Sequence, residues 1–428
     1  MTHTHHNQQI FSGIRILDFT QVIAGSYGTT IMGDMGAEVV KVESPGGDAL
    51  RFAGPMYKGE SGFFLLNNRN KKSICVDLKN KEGLDIIKEL IPHFDCIAEN
   101  FKPGVMDKLG LGYEEVKKIK ETIIYLSVSG YGSNNRYSDR PAYDNMIQCE
   151  TGLTALNGLP ANNMPLRSPL SISDYTAGIY AAFGLASAIY HRKNTGQGQH
   201  IDIAMYDALI SIMDNSFLIY NFNKAEYQQG KSLYDLGLEN TGNRHPGAAP
   251  HGYYRTRDGH VAHMSLTNQM WHKLLEIIGQ KQLIGHPEYE KLDHRKAKWK
   301  EIDQLIEAWT TQHTTEEVIK IFTDHRLPCG KARSIAEVFD DPQSTERGIF
   351  KEVEHPTAGR ITITNIPVKY SETPAQINKP SPRLGEHNHE ILMHDLGYSK
   401  EKVDALLDKK ILYSCFDNGQ GRVATRGQ

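Results

Sequence analysis

The chain has 428 residues, with 48 Lys and Arg against 51 Asp and Glu, a formal net charge of −3. That balance excludes a protein-wide basic footprint for nucleic acid, and no run approaches the roughly 20 apolar residues of a membrane span. Hydrophobic residues at 39% and charged residues at 23% suit a globular chain too long for one ordinary compact domain.

The first residues, with His3, His5 and His6, lack the basic-then-apolar layout of a signal peptide and read as a leader. Residues 13–19 (GIRILDF) then read as a strand, 23–36 as a helix ended by glycine, and 37–43 (AEVVKVE) as a second strand. This is a βαβ unit, which implies parallel strands. Residues 73–78 continue as strand, 81–93 as helix, 95–99 as strand, 103–109 as helix and 122–129 as strand. Residues 179–190 (IYAAFGLASAIY) are apolar on all sides and predict a buried helix. A strand at 200–205 and one long helix from 206 to about 221 follow.

Residues 223–240 are polar and read as a linker. A hairpin is expected over 251–266 around Asp258-Gly259. Amphipathic helices are expected at 271–278 and 300–310, a strand at 360–364 and a last helix near 400–410. The fold class is therefore α/β: a large domain with an open, mainly parallel Rossmann-like sheet, plus a smaller α+β domain. The divisions are drawn at 1–222 for the N-terminal part of the large domain, 223–333 for the small domain and 334–428 for the chain returning to the large one.

An open α/β sheet binds ligands beyond the carboxyl ends of its strands. Gly25-x-x-Gly28 is not the dinucleotide fingerprint, so a nicotinamide cofactor is not expected, and close helix packing explains the glycines as well. Cys75, Cys96, Cys149, Cys329 and Cys415 are scattered without zinc or redox spacing. They imply free thiols, a cytoplasmic protein and no metal site. Arg51, Arg69, Lys71, Lys72, Lys79, Lys102 and Lys108 fall near strand and helix ends, where they form a solvated face or hold a phosphorylated ligand. Asp174, in the stretch SISDYTAG at the mouth of the apolar helix, reads either as an N-cap or as a catalytic carboxylate.

The segments GIRILDF with Ala24-Gly25, 36–43, Asn70-Lys71-Lys72-Ser73-Ile74, Glu99-Asn100-Phe101-Lys102-Pro103-Gly104, Ser129-Gly130-Tyr131-Gly132, Tyr143-Asp144 and Asp174 with Ala177-Gly178 recur in this order. Arg192-x-x-Thr195-Gly196-Gln197-Gly198-Gln199, Gly242-Asn243-Arg244-His245-Pro246, Leu327-Pro328-Cys329-Gly330 and Leu384-Gly385-Glu386-His387 complete the series. On these motifs the chain resembles the class III CoA-transferases, the group that includes formyl-CoA transferase, oxalate CoA-transferases and carnitine CoA-transferase.

The resemblance implies that Asp174 is the nucleophile, forming an aspartyl anhydride and then an aspartyl-CoA thioester while CoA moves from an acyl-CoA donor to a carboxylic acid. It implies CoA contacts at Ile23, Ala24, Val76, Asp77, Leu78, Lys79, Asn100, Phe101, Lys102, Lys108, Ala142, Tyr143 and Asp144. Acyl-CoA is then a substrate, no prosthetic group is expected, and an interlocked homodimer is. Two departures stand out. Ser44 occupies a position that is commonly basic, and residues 243–250 replace the Gly-Gly-Gly-Gly-Gln loop of formyl-CoA transferases, which speaks against formyl-CoA as donor. Arg167 is a candidate for a second carboxylate, hence a dicarboxylic acceptor. The alternatives are an alpha-methylacyl-CoA racemase and a non-catalytic CoA-binding protein. The racemases carry a His where this chain has Tyr143, and a pure binder needs no carboxylate beside a polyanion.

Overall fold

In the computed structural model the described residues are 9–159, 164–243 and 245–415. The N-terminal histidines and Arg244 lie outside them. The chain divides into two compact units. The first runs through Thr151 and adds Leu170–Ile212 and everything from Pro342 onward; the second is Gly152–Pro169 with Met213–Asp341. These divisions fall elsewhere than at 222 and 333, and they assign the short segment before Leu170 to the second unit.

The first unit is built on six parallel strands: β1 (Arg15–Asp18), β2 (Glu38–Glu43), β3 (Lys71–Cys75), β4 (Cys96–Glu99), β5 (Ile124–Ser129) and β6 (His200–Ala204). Their spatial order is β3-β2-β1-β4-β5-β6, with Leu17 of β1 facing Val40 on one side and Ile97 on the other. Strands covered on both faces read as continuous apolar runs rather than alternating ones, and that is why the short runs were legible. Strand order reverses between β1 and β4, the switch point where such sheets open a crevice.

Helix α1 (Ala24–Asp34) follows β1, α2 (Lys81–Leu90) follows β3, α3 (Asp144–Glu150) follows β5, and α4 (Ile172–Thr195) precedes β6. Asn80 caps α2 by accepting from the Glu82 amide at 2.9 Å. Gly196, at φ 76°, ends α4. A core of Leu17, Val40, Ile74, Ile87, Leu90 and Ile97 is completed by Ile391, Leu392, Leu406 and Leu412 from the returning chain. The Asp77 amide donates to the Ile411 carbonyl at 2.9 Å, pinning that return to the end of β3.

The glycines of α1 are a packing device. A Cβ on Gly28 would lie 2.7 Å from the Ala181 Cβ and 2.8 Å from the Gly178 carbonyl; one on Gly178 would lie 2.8 Å from the Ala24 carbonyl. Helices α1 and α4 thus touch backbone to backbone and run in the same direction, with Ala24 at the start of α1 level with Gly178, so that the first turn of α4 projects past the start of α1.

In the second unit, β7 (His251–Arg255) and β8 (His260–Met264) form the expected hairpin, with β9 (Cys329–Lys331) on the far side of β8. Helices at Asn268–Ile277, Trp299–Thr310 and Thr315–Asp324 cover it around Trp271, Ile302, Ile306, Val318 and Phe322. Arg295 is fully buried without a carboxylate, donating instead to the carbonyls of Ala249, Leu266, Tyr289 and Glu290.

Two expectations are corrected, and one helix was missed. The long helix from 206 to 221 is two helices, Met205–Ile210 and Ser216–Phe222, because Asp214 takes a left-handed φ of 49° that no helix accommodates. The expected linker at 223–240 contains a helix, Lys224–Gln228. The helix at Thr315–Asp324 was not foreseen, although Thr314 and Glu317 form a capping box that is visible in the sequence.

Candidate active site

The crevice at the switch point is bounded by the loop after β1 and the loop after β4. Asn100 joins them: its Oδ1 accepts from the Gln21 amide at 2.6 Å and its Nδ2 donates to the Gln21 carbonyl at 2.7 Å. Ile23 and Ala24, buried at the start of α1, and Phe101, partly buried against the core, follow directly. Lys102 is exposed and pairs with Asp139 at 3.3 Å. Lys108 and Lys79 are exposed and enter no ion pair among the described residues.

Val76–Lys79 follow edge strand β3, two strands away from β1. The Val76 side chain belongs to the hydrophobic core, Leu78 packs against it, and Asp77 accepts from the Lys79 amide at 3.0 Å. Four other basic residues nominated from sequence are committed within the fold. Lys71 pairs with Asp18 at 2.9 Å and Arg69 with Asp34 at 2.6 Å; Arg51 pairs with Glu43 at 2.7 Å. Lys72 bridges Glu38 and Glu390. Neither the solvated face nor the phosphate cluster describes the first three, which are buried ion pairs tying together the strands and helix α1.

Asp174 is not an N-cap. Helix α4 begins at Ile172, so Asp174 is its third residue, 8% exposed. The capping is done from another segment. Asp144, at the start of α3, accepts from the Ser173 amide at 2.9 Å and the Ser173 hydroxyl at 2.7 Å, while its other oxygen accepts from Gln148 at 2.6 Å. Among the described residues no donor reaches the Asp174 carboxylate. Burial first, and then the nearby Asp144 charge, push its pKa up from 3.8 to about 7. The N-terminal dipoles of α1 and α4 oppose that rise, so desolvation wins. Tyr175 packs edge-on against Tyr27 of α1 with ring centroids 4.9 Å apart, which fixes the first turn of α4 against the first turn of α1.

The carried-over positions Ala142, Tyr143 and Asp144 therefore lie where α3 meets α4. Tyr143 is 66% exposed and Ala142 half-buried, whereas Asp144 is buried. Sequence reasoning missed Ser173 and Gln148, which hold Asp144. It also gave no role to Glu99, whose buried carboxyl is raised to about 7 while it accepts from the Phe101 amide at 2.8 Å. Arg167 is an exposed residue of the second unit, whose guanidinium, among the described residues, makes only a weak contact with the Ser168 carbonyl at 3.5 Å.

A buried carboxylate without donors among the described residues thus stands in the first turn of α4, near the switch point of a parallel sheet. The profile described as CoA-transferase family III matches residues 11–388. The chain belongs to CoA-transferase family III.

Among its relatives is the Succinyl-CoA--L-malate CoA-transferase beta subunit of Chloroflexus aurantiacus, 32% identical over 406 residues, covering 94% of this chain and 98% of the relative. The human Succinyl-CoA:glutarate CoA-transferase is 32% identical over 409 residues, covering 95% and 91%. A Formyl-CoA:oxalate CoA-transferase from Bradyrhizobium sp. is 33% identical over 415 residues, covering 94% and 96%. A solved CAIB/BAIF family protein from Brucella suis superimposes with a TM-score of 0.77 at 29% identity, covering 91% of this chain and all of its own. This chain is thus a class III CoA-transferase with an α/β fold, acting on CoA thioesters and carboxylates. No helix among the described residues is long and apolar enough to cross a membrane.

Proposed function

We propose that Asp174 is the nucleophile of a CoA transfer from succinyl-CoA, or a similar acyl-CoA, to a small dicarboxylic acid. The observation that carries this is the state of the carboxylate: buried, without donors among the described residues, and raised to about 7. A carboxylate stripped of hydration and hydrogen bonds keeps its lone pairs available for attack. It adds to the thioester carbonyl and expels CoA thiolate, leaving an aspartyl–acyl anhydride. The thiolate attacks the aspartyl carbonyl, the donor acid leaves, and an aspartyl-CoA thioester remains. The acceptor carboxylate attacks that thioester, forms the second anhydride and frees the thiolate, which attacks the acceptor carbonyl. Acyl-CoA departs and Asp174 is regenerated, with no water consumed.

The relatives named for succinyl-CoA with malate or glutarate support the dicarboxylic acceptor, and the sequence at 243–250 supports a donor other than formyl-CoA. The exposed Ile179, Phe183 and Tyr190 on α4 support a homodimer, which light scattering of the purified chain tests. The chemical test follows CoA exchange by mass spectrometry across mono- and dicarboxylates. Hydroxylamine added during turnover should modify Asp174 in the wild type only. Normal transfer by Asp174→Ala, or activity confined to monocarboxylates, would sink the mechanism or the acceptor class respectively.

A further inference from the structure

The loop after β1 holds a conformation its sequence does not favour. Val22 has φ 58°, in the left-handed region, where a β-branched residue is a genuine outlier. Strain of this kind persists only where the surroundings over-determine it, and here they do. The Val22 amide donates to Asp48 Oδ1 at 3.1 Å, and the same oxygen accepts from the Leu50 amide at 2.9 Å. Asp48 Oδ2 pairs with Lys41 Nζ at 2.8 Å, both side chains having no exposure. Lys41 in turn donates to the Thr20 carbonyl at 2.6 Å, and Asp18 accepts from the Thr20 amide at 3.0 Å. Asn100 holds both polar groups of Gln21 from the other side.

Every backbone group from the Thr20 amide to the Val22 amide is thus gripped by a buried or half-buried side chain. The amides that follow, of Ile23, Ala24 and Gly25, have no acceptor among the described residues, as expected at a helix start. The Val22 side chain packs on the cluster of Ile23, Leu50 and Phe64, which Tyr175 also joins. Tyr175 is the neighbour of Asp174. One apolar cluster therefore ties the strained turn to the helix turn that carries the nucleophile.

We propose that the left-handed turn at Val22, clamped by Asp48 and Asn100, is the positioning device that sets the register between the bound thioester and Asp174. This rests on the reading that Ile23 and Ala24 contact CoA. Val22, Asp48 and Lys41 are positioning residues; they act through the backbone they fix. A displacement of about 1 Å at a reacting centre costs on the order of a hundredfold in rate, so loosening the turn should lower kcat before it alters acceptor binding.

The test compares Val22→Gly with Val22→Asn. Both remove the valine packing, but glycine frees the backbone while asparagine keeps a preference for the left-handed region. The Gly variant is expected to lose at least about tenfold in kcat with acceptor KM unchanged, and the Asn variant to recover most of that loss. Thermal melting of each separates these effects from unfolding. If the Gly variant does not fold, Asp48→Asn, which keeps an acceptor for the Val22 amide but not the charge facing Lys41, reads the same clamp. Equal kcat in wild type, Gly and Asn variants overturns the proposal, and so does equal loss in both variants. Hydrogen–deuterium exchange of the wild type with and without CoA distinguishes the two levels. Absence of CoA protection over residues 21–26 removes the underlying reading and the proposal with it; protection combined with an unaffected Gly variant removes the proposal alone.

Discussion

On the proposed assignment of Asp174 as nucleophile, its state implies that the fold is destabilised to keep that carboxylate reactive, and Asp174→Asn tests this. The carboxyl is raised from 3.8 to about 7, so the folded protein binds that proton more tightly than the unfolded chain does. Its stabilising contribution is complete below about pH 4, falls as pH rises through the folded pKa, and is gone above it. A rise of roughly 3 pH units at 1.36 kcal/mol each corresponds to about 4 kcal/mol of destabilisation at pH 8. Asparagine has the same shape and no charge to desolvate. The variant should be inactive in transfer yet more stable than the wild type at pH 8, with a Tm gain on the order of 5–10 °C. The gain should shrink toward zero near pH 4.5. Melting both proteins from pH 4.5 to 8.5 provides the comparison. A gap constant across that range, or an Asn variant less stable at pH 8, refutes the reasoning. The same titration should appear in the wild-type kcat/KM profile as an acid limb near pH 7, since only the ionised carboxylate attacks.

Asp144→Asn keeps an acceptor for Ser173 but removes the like charge, so that acid limb should move to lower pH; an unmoved limb excludes Asp144 as a cause of the raised pKa. Gly28→Ala should gain about 0.5–1 kcal/mol of helix propensity but lose about 1–3 kcal/mol to overpacking against Ala181 and Gly178, for a net fall in Tm. Lys71→Met leaves Asp18 buried without its partner and should cost about 3–5 kcal/mol in chemical denaturation. Lys108→Glu should raise KM for acyl-CoA about three- to tenfold with stability unchanged, an effect that fades in high salt.

How much of this was readable in advance depended on whether the signal was local. The framework is largely local: β1, β2, β4 and β5 are short, mainly apolar runs and alternation with helices sets parallel order, whereas β3 (KKSIC) begins two residues before the apolar run at 73–78. Close helix packing was one use the sequence left open for Gly25-x-x-Gly28, and Gly28 takes it against Ala181 and Gly178, while Gly25 abuts Thr20 instead. The break at Asp214 was not readable, since Ser211-Ile212-Met213-Asp214-Asn215 continues a helical pattern and only the surroundings select the left-handed conformer. Arg51, Arg69 and Lys71 look identical in sequence to solvated cations. Their burial is set by Glu43, Asp34 and Asp18, residues from other strands and helices that no spacing rule links to them. Val22 is the extreme case. Valine is among the last residues a sequence rule would place at positive φ; its partner Asp48 is 26 residues away, and Asn100, which holds the adjacent Gln21, is 79 residues from Gln21.

The carboxylate at the mouth of α4 joins these points. A first-turn Asp ordinarily accepts from helix amides, and each such bond lowers both its pKa and its nucleophilicity. Here the capping duty falls to Asp144, which takes the Ser173 amide and hydroxyl and is itself held by Gln148. Two carboxylates share one helix end, one bonded and one bare. The bonded one keeps the helix start ordered and adds a like charge beside the bare one; the bare one is left desolvated and raised to about 7. Neither residue alone accounts for the site: an uncapped helix end would fray, and a self-capping Asp174 would be a poor nucleophile. The division of labour makes a specific demand. Asp174→Glu, which moves the carboxyl outward by one methylene, should lose transfer activity by at least about a hundredfold while leaving the Asp144–Ser173 cap and the melting temperature nearly intact. Activity near wild type in that variant would show that placement of the bare carboxylate is not what the cap secures.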